Sequence, residues 1–207
     1  MWREWASLEP SFDLHSLSHR ALTGILIPQW LRQGRRDLDG CIESSAYGET
    51  PSALLEEIFS ALYLHGTDTF LDLGAGAGLV MAQAAQRGST CYGIERNPYL
   101  VEAGHQILEP TEVPSENLLQ ADFLASPWPA SATKAFSTTA RFNIETLQQL
   151  SQLLEHKTEK LERIVTLGRP LPPPEGWQLL KEQKVHVTWN PGEANLTETL
   201  QLWVRTG

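Results

Sequence analysis

Two periodic patterns of apolar and polar residues, one typical of helices and one of strands, alternate along most of this chain. The first clear one is helical, in the segment SALLEEIFSALYLHG, where one apolar stripe collects Leu54, Leu55, Ile58, Phe59 and Leu62. We predict a helix here that is capped by Thr50, has Pro51 at its first position and ends by Gly66. The short apolar run DTFLDL that follows is typical of a buried strand.

Helix-like and strand-like segments then alternate. Helical spacing recurs in GLVMAQAAQ, PYLVEAGHQIL and NIETLQQLSQLLEHKTEKL, and the last of these should turn Ile144, Leu147, Leu150 and Leu154 inward. Strand composition recurs in STCYGIE, LLQADFL, KAFSTT and ERIVTL. Strands that alternate with helices form parallel βαβ units, so we predict an α/β fold with helices on both faces of an open sheet.

The two ends of the chain depart from this alternation. After the loop GRPLPPPEGW, the segments KVHVTW and TLQLWVRT are strands with no helix between them, which predicts an antiparallel C-terminal hairpin strand in a seven-stranded, mostly parallel sheet. Residues 1–43 do not alternate, and we predict that they form a helical N-terminal extension. The α/β domain is expected to span residues 44–207.

Composition and charge narrow the classes of protein that fit. A chain of 207 residues can bury one sizeable core. No apolar run approaches the roughly 18 residues of a membrane span, so no membrane association is expected. Two cysteines, Cys41 and Cys91, are too few for a disulfide framework, and we expect a cytoplasmic protein. The net charge of −9 disfavours binding to bulk nucleic acid.

The run FLDLGAGAGLV is the first segment whose residues indicate a ligand-binding site. It ends a predicted strand with Asp72 and then places Gly74, Gly76 and Gly78 at alternate positions, where the backbone can turn sharply beside a ligand. The third glycine of the dinucleotide fingerprint would fall at position 79, which is Leu79. An acid at position 72 would lie too near a pyrophosphate, but it suits a ligand with a cationic amino group, such as S-adenosyl-L-methionine.

Further polar residues close the next two predicted strands. Glu95 ends the second strand, 21 residues after Gly74, where a carboxylate can accept hydrogen bonds from both ribose hydroxyls. Asp122 and Phe123 close the third strand, and a carboxylate beside an aromatic ring suits the amine and the face of adenine. Ligands of open α/β sheets bind at the carboxyl ends of the strands, so we expect these residues to meet there. A dehydrogenase using a nicotinamide cofactor is the rival interpretation.

With these motifs the chain resembles the class I, seven-stranded S-adenosylmethionine-dependent methyltransferases over roughly residues 45–207. It is most similar to the disruptor-of-telomeric-silencing family, the histone-lysine methyltransferases that lack a SET domain. The segments that carry the resemblance are AYGET, FLDLGAGAG, YGIE, ADFL, ERIVTLGRP and VTWN. The resemblance implies a Rossmann-like fold and S-adenosylmethionine as the cofactor.

Individual roles follow from the resemblance. Tyr47, Glu49 and Thr50 would belong to a loop that closes over the methionine end of the cofactor. The glycines would line the methionine moiety, with Asp72 holding the turn or the amino group. Trp189 matches an aromatic residue that, in the family, walls the channel for the substrate lysine.

The substrate side departs from the family pattern. Thr138 and Thr139 stand where the family has two asparagines, and Leu196 stands where a second channel aromatic is expected. A basic nucleosome-binding tail is also absent from this sequence, so a nucleosome is an unexpected substrate. We predict that Tyr47, Phe142 and Trp189 wall the acceptor channel and that one of the two threonines steers the acceptor.

The predicted function is therefore methyl transfer from S-adenosylmethionine, with N-methylation of a protein lysine or another amine as the first interpretation. A small-molecule methyltransferase is one alternative. A module that binds the cofactor but has lost transfer is the other, because the threonine pair replaces the asparagines. His15 and His19 share a helical spacing, but no third ligand stands near them, so no metal site is predicted.

Overall fold

The computed structural model describes residues 50–157, 159–189 and 196–206. Its helices are α1 (Ser52–Leu62), α2 (Leu79–Ala85), α3 (Pro98–Leu108) and α4 (Ile144–His156). Its strands are β1 (Thr69–Leu73), β2 (Thr90–Glu95), β3 (Leu118–Gln120), β4 (Lys134–Thr138), β5 (Arg163–Gly168), β6 (Trp177–Val187) and β7 (Leu196–Arg205). The predicted extension of residues 1–43, together with Tyr47 and Glu49, lies outside the described residues.

The described strands form one seven-stranded sheet in the order β3-β2-β1-β4-β5-β7-β6. The strands from β3 to β5 are parallel, whereas β7 pairs antiparallel with both β5 and β6. The predicted architecture is thereby confirmed, including its antiparallel C-terminal strand. The chain moves outward from β1 to β3 and then returns to β4, so β1 and β4 flank the switch point at which open α/β sheets bind ligands.

Apolar side chains of the central strands bury against both faces of the sheet. Phe70 and Val165 belong to the core cluster that includes residues of α1, α2 and α3. Leu71 and Ile164 belong to a second cluster, which includes residues of α4. Because neighbouring residues of a strand point to opposite faces, these near-continuous apolar runs fill two cores. The prediction of helices on both faces is confirmed.

The first turn of α4 differs from its prediction. Leu147, Leu150 and Leu154 are buried as expected, but Ile144 is 72% exposed. Ile144 is the first residue of the helix, directly after Asn143, whose side chain caps it. The helical spacing places Ile144 on the inward stripe, but burial on this stripe begins one turn later, at Leu147. The predicted inward position of Ile144 was therefore wrong.

The ends of α1 also differ from their prediction. Pro51 occupies the N-cap position and no side chain caps the helix, so the predicted cap by Thr50 was wrong. Thr50 is buried, and its Oγ1 lies 3.5 Å from Oγ1 of Thr138 at the end of β4. The hydroxyl therefore faces the sheet edge instead of the helix amides. At the other end, Tyr63 adopts a left-handed conformation with φ of 50° and ends the helix before Gly66.

The strand β6 is longer than the segment predicted for it. It begins at Trp177, whereas the alternating pattern begins at Lys184. A register shift between Leu179 and Lys181 interrupts the alternation. The strand also lies at the edge of the sheet and exposes most of its side chains, so apolar burial does not mark its first half.

Gly93 allows β2 to pass directly beneath the residues that follow β1. A Cβ added to Gly93 would lie 2.3 Å from Sδ of Met81 and 2.7 Å from Cβ of Ala75. We expect Gly93→Ala to lower the free energy of unfolding by about 1–3 kcal/mol because the added methyl group overpacks this contact. Urea denaturation measures the change.

The control for this measurement is Gly66→Ala, whose added Cβ would lie no closer than 3.4 Å to its neighbours. It should change the free energy of unfolding by less than about 0.5 kcal/mol. Equal stability of the two variants would contradict the close packing of β2.

Candidate functional site

The residues that follow β1 form the glycine turn, residues 74–78. Its three glycines have φ angles of 83°, 55° and 75° in chain order, in the left-handed region that glycine adopts without strain. The amides of Gly74 and Ala75 donate to the carbonyl of Ile94, at 2.9 and 3.1 Å. Gly78 ends the turn as the N-cap residue of α2. The turn is therefore fastened to the carboxyl end of β2.

Glu95 reinforces this connection at the end of β2. Its Oε2 accepts a hydrogen bond from the amide of Gly76 at 2.9 Å, and its Oε1 accepts one from the amide of Asn97 at 2.8 Å. Asn97 in turn caps α3 by accepting from the amide of Tyr99. Burial raises the pKa of Glu95, and the two amides and Arg96 oppose that shift. A carboxylate can accept about four hydrogen bonds, so Glu95 keeps acceptor capacity for a ligand donor.

Asp72 lies beneath the glycine turn and is 2% exposed. In the sheet it stands between Gly93 of β2 and Phe136 of β4. Its Oδ2 has no hydrogen-bond partner in the protein. Burial, and secondarily the charge of Glu95, raises the pKa of Asp72 to about 8. A buried carboxyl group with an unpartnered oxygen is costly to maintain, and it offers an acceptor to a donor that enters the site.

Asp122 and Phe123 follow β3 at the same edge of the sheet. The strand was predicted to include both residues, but β3 ends at Gln120. Oδ1 of Asp122 accepts from the amide of Leu124 at 2.9 Å, and this local turn ends the strand. Asp122 is exposed, whereas Phe123 is 9% exposed.

The two threonines at the end of β4 have different surroundings. Thr138 is half-buried, and its hydroxyl contacts that of Thr50. Thr139 is fully buried, its amide donates to the carbonyl of Leu167 at 2.7 Å, and its Oγ1 donates to the carbonyl of Arg169 at 2.8 Å. Because this hydroxyl proton is used in a hydrogen bond within the protein, it is not available to a substrate.

Phe142 lies between the glycine turn and the β3 loop, residues 121–126, which follows β3. Its Cζ is 4.0 Å from the position that a Cβ on Gly74 would take. Its ring centroid is 5.6 Å from that of Phe123, with an angle of 32° between the rings. The two phenylalanines form an apolar wall beside the turn.

Trp189 belongs to the core cluster that contains Leu55 and Leu200. It is 8% exposed, and its Nε1 donates to Oε1 of Glu198 at 3.3 Å. The structure therefore packs Trp189 in this core.

The sheet thus brings most of the predicted cofactor residues to one edge. They are Asp72, Gly74, Gly76, Gly78, Glu95, Asp122 and Phe123. The sequence analysis missed two residues that shape this edge. Ser137 donates to the carbonyl of Leu73 at 2.8 Å, and Arg169 donates to the carbonyl of Phe142 at 2.9 Å. A serine within the apolar run KAFSTT was a signal for the first, and the segment ERIVTLGRP, which contains Arg169, was one for the second.

Two negative observations apply to the described residues. Within them, no group of three histidine, cysteine, aspartate or glutamate side chains is arranged to hold a metal ion. The helices described for this chain lack the length and apolar character of a bilayer span.

Comparison with known families supports the resemblance seen in the sequence. The model of a family described as "Histone methylation protein DOT1" matches residues 41–107, about a third of the chain. The matched segment contains the glycine turn and Glu95. None of the curated proteins compared with the chain matches it.

Similar solved structures are methyltransferases with varied substrates. An RNA methyltransferase from Salinibacter ruber, in complex with S-adenosyl-L-homocysteine, is 20% identical, with a TM-score of 0.58 over 76% of this chain and 94% of that chain. Magnesium protoporphyrin IX methyltransferase from Synechocystis PCC 6803, with bound S-adenosylmethionine, is 13% identical, with a TM-score of 0.57 over 90% and 89% of the two chains. Geranyl diphosphate C-methyltransferase from Streptomyces coelicolor A3(2) is 15% identical, with a TM-score of 0.57 over 75% and 76%. The chain therefore has the class I methyltransferase fold.

Asp72 should make the stability of the cofactor-free protein depend on pH. Its pKa of about 8 in the folded state lies above the value of about 4 in the unfolded state, so folding retains a proton. The stabilisation is complete below about pH 4 and is lost towards pH 8, by at most about 1.4 kcal/mol per pH unit. Asp72→Asn removes this titration. Its free energy of unfolding, from urea denaturation, should fall less than that of the wild type between about pH 5 and pH 8, and parallel curves would contradict the buried acid.

Proposed function

We propose that this protein is an S-adenosylmethionine-dependent methyltransferase that binds its cofactor at the edge formed by the glycine turn and the ends of β2 and β3. One observation carries the proposal. The unpartnered carboxyl oxygen of Asp72 lies beneath a turn of three left-handed glycines and close to Glu95. A ligand amino group would favour the ionised form of Asp72, whereas a pyrophosphate would oppose it, so the two acids fit a ligand with an amino group and a ribose.

The chemistry of the donors and acceptors at this edge fits the cofactor part by part. Glu95 keeps acceptor positions for the ribose hydroxyls, and Asp72 is suited to the amino group. Asp122 and Phe123 offer an acceptor and an aromatic face to the adenine. We also assign Thr50 to the cofactor site, because it is buried beside the end of β4. The assignment includes Tyr47 and Glu49, which precede Thr50 in the sequence.

When bound, S-adenosylmethionine supplies a methyl group that its sulfonium has already activated. The residues of the chain therefore need only to align the acceptor, exclude water and keep the nucleophile neutral. An apolar wall disfavours the charged form of an amine and so lowers its pKa. We assign this wall to Phe142, with Tyr47 and Trp189, and the steering of the acceptor to the half-buried Thr138.

For the acceptor we propose an amine, with a protein lysine as the first candidate. The match to the histone methylation family and the apolar wall support this choice. A small molecule is the alternative, since a porphyrin and a prenyl diphosphate methyltransferase share the fold. The net charge of −9 opposes a nucleosome or bulk nucleic acid as substrate. The buried free thiol of Cys91 is compatible with a cytoplasmic location, which we also propose.

Isothermal titration tests the cofactor assignment. The wild type should bind S-adenosylmethionine and S-adenosylhomocysteine with micromolar affinity and give no heat with NADH. Glu95→Gln should weaken binding at least tenfold, because it removes a carboxylate that can accept two ribose hydroxyls at once.

Glu102→Gln is the matched control, because Glu102 is an exposed acid on α3. It should bind like the wild type. Absence of binding by the wild type would refute the proposed function, and NADH heat would favour the dehydrogenase. Unchanged affinity of Glu95→Gln would refute the ribose assignment alone.

A further inference from the structure

The loop after β4, residues 139–142, is held by reciprocal hydrogen bonds to the end of β5. Oγ1 of Thr139 donates to the carbonyl of Arg169 at 2.8 Å, and Nη1 of Arg169 donates to the carbonyl of Phe142 at 2.9 Å. The amide of Phe142 donates to the carbonyl of Thr139 at 3.1 Å. Each end of this loop is therefore fastened, once by a buried hydroxyl and once by a guanidinium group.

Gly168 brings the two backbones into direct contact. It has φ of 132°, a conformation that other residues rarely adopt. A Cβ at this position would lie 2.1 Å from the amide nitrogen of Ala140 and 2.7 Å from the carbonyl carbon of Thr139. The loop after β4 thus rests on the backbone of β5 with no space for a side chain. We refer to Thr139, Gly168 and Arg169 as the loop clamp.

The loop clamp determines where the ring of Phe142 lies. Phe142 is the last residue of the clamped loop, and its Cζ lies 4.0 Å from the Cβ position of Gly74. Its ring also packs on Phe123. A shift of the loop would therefore move the ring relative to two parts of the candidate site at once, the glycine turn and the β3 loop.

We propose that Thr139 and Arg169 are positioning residues that hold Phe142 as a fixed wall between the glycine turn and Phe123, and that this wall sets the affinity for the cofactor. The proposal rests on the proposed function and deepens it. It gives Thr139 a different task from steering the acceptor, because its hydroxyl is buried and donates to Arg169. Thr139 then acts on the site only through Phe142.

The first test measures the loop without any cofactor. Thr139→Val removes the buried hydroxyl at nearly constant volume, and Thr139→Ser retains it. Hydrogen–deuterium exchange of the amides in residues 139–143 should be at least tenfold faster in Thr139→Val and close to the wild type in Thr139→Ser. Thr166→Val is the matched control, because Thr166 is another buried threonine, on β5. It should leave exchange in this loop unchanged.

The second test links the loop to the site by a double-mutant cycle, with S-adenosylhomocysteine as the probe in isothermal titration. Phe142→Ala and Thr139→Val should each weaken binding about fivefold or more at a temperature well below unfolding. The double variant should bind no more weakly than Phe142→Ala alone, because Thr139 acts through that ring. Thr139→Ser should restore the affinity of the wild type.

The outcomes separate this proposal from the proposed function. Multiplicative losses in the double variant, or wild-type affinity in Phe142→Ala, would overturn the positioning role while leaving the cofactor site intact. Unchanged exchange in Thr139→Val would overturn the loop clamp whether or not the protein binds the cofactor. A wild type that binds no S-adenosylhomocysteine would refute the proposed function, and with it the link to affinity.

Discussion

The attachment of the glycine turn to the end of β2 is the constraint on which the rest of the site depends. The carbonyl of Ile94 and the carboxylate of Glu95 together accept three amides of the turn. Gly93 leaves room for Ala75 above the sheet. With the turn held this close, α2 begins at its end, and Asp72 is enclosed beneath it. A looser turn would let water reach Asp72 and would remove the reason for its raised pKa.

This arrangement exchanges stability for binding capacity. The unpartnered oxygen of Asp72 destabilises the folded protein near neutral pH, because the group must either keep a proton or bury a charge. In a core position with no ligand to bind, an apolar residue would be more stable. A ligand that donates a hydrogen bond to this oxygen would offset the loss of stability. Around it the site is held by hydrogen bonds: the loop clamp bonds to both ends of the loop that carries Phe142, and the amide of Asn97 at the start of α3 donates to Glu95.

The sequence predicted those features that are decided locally or by burial on both faces of the sheet. The strands around DTFLDL and ERIVTL were predictable because both faces are buried, and the acids were predictable because each lies at or just beyond the carboxyl end of a strand. Ile144, Thr50 and the first half of β6 were mispredicted because tertiary context decides them: Ile144 is exposed, the hydroxyl of Thr50 faces Thr138, and β6 is an irregular edge strand. The hydrogen bond between Thr139 and Arg169 joins residues that are 30 positions apart, so no local sequence pattern predicts it.

Methyl transfer itself is the most direct test of the central claim. The protein, with tritium-labelled S-adenosylmethionine, would be added to a cell extract divided into protein, nucleic-acid and small-molecule fractions. The account predicts label in a protease-sensitive fraction with the wild type and at least tenfold less with Glu95→Gln at a cofactor concentration below the wild-type Kd. Transfer to the small-molecule fraction would retain the enzyme and replace the acceptor. No label in any fraction from a wild type that binds the cofactor would contradict the account and leave a binding module in its place.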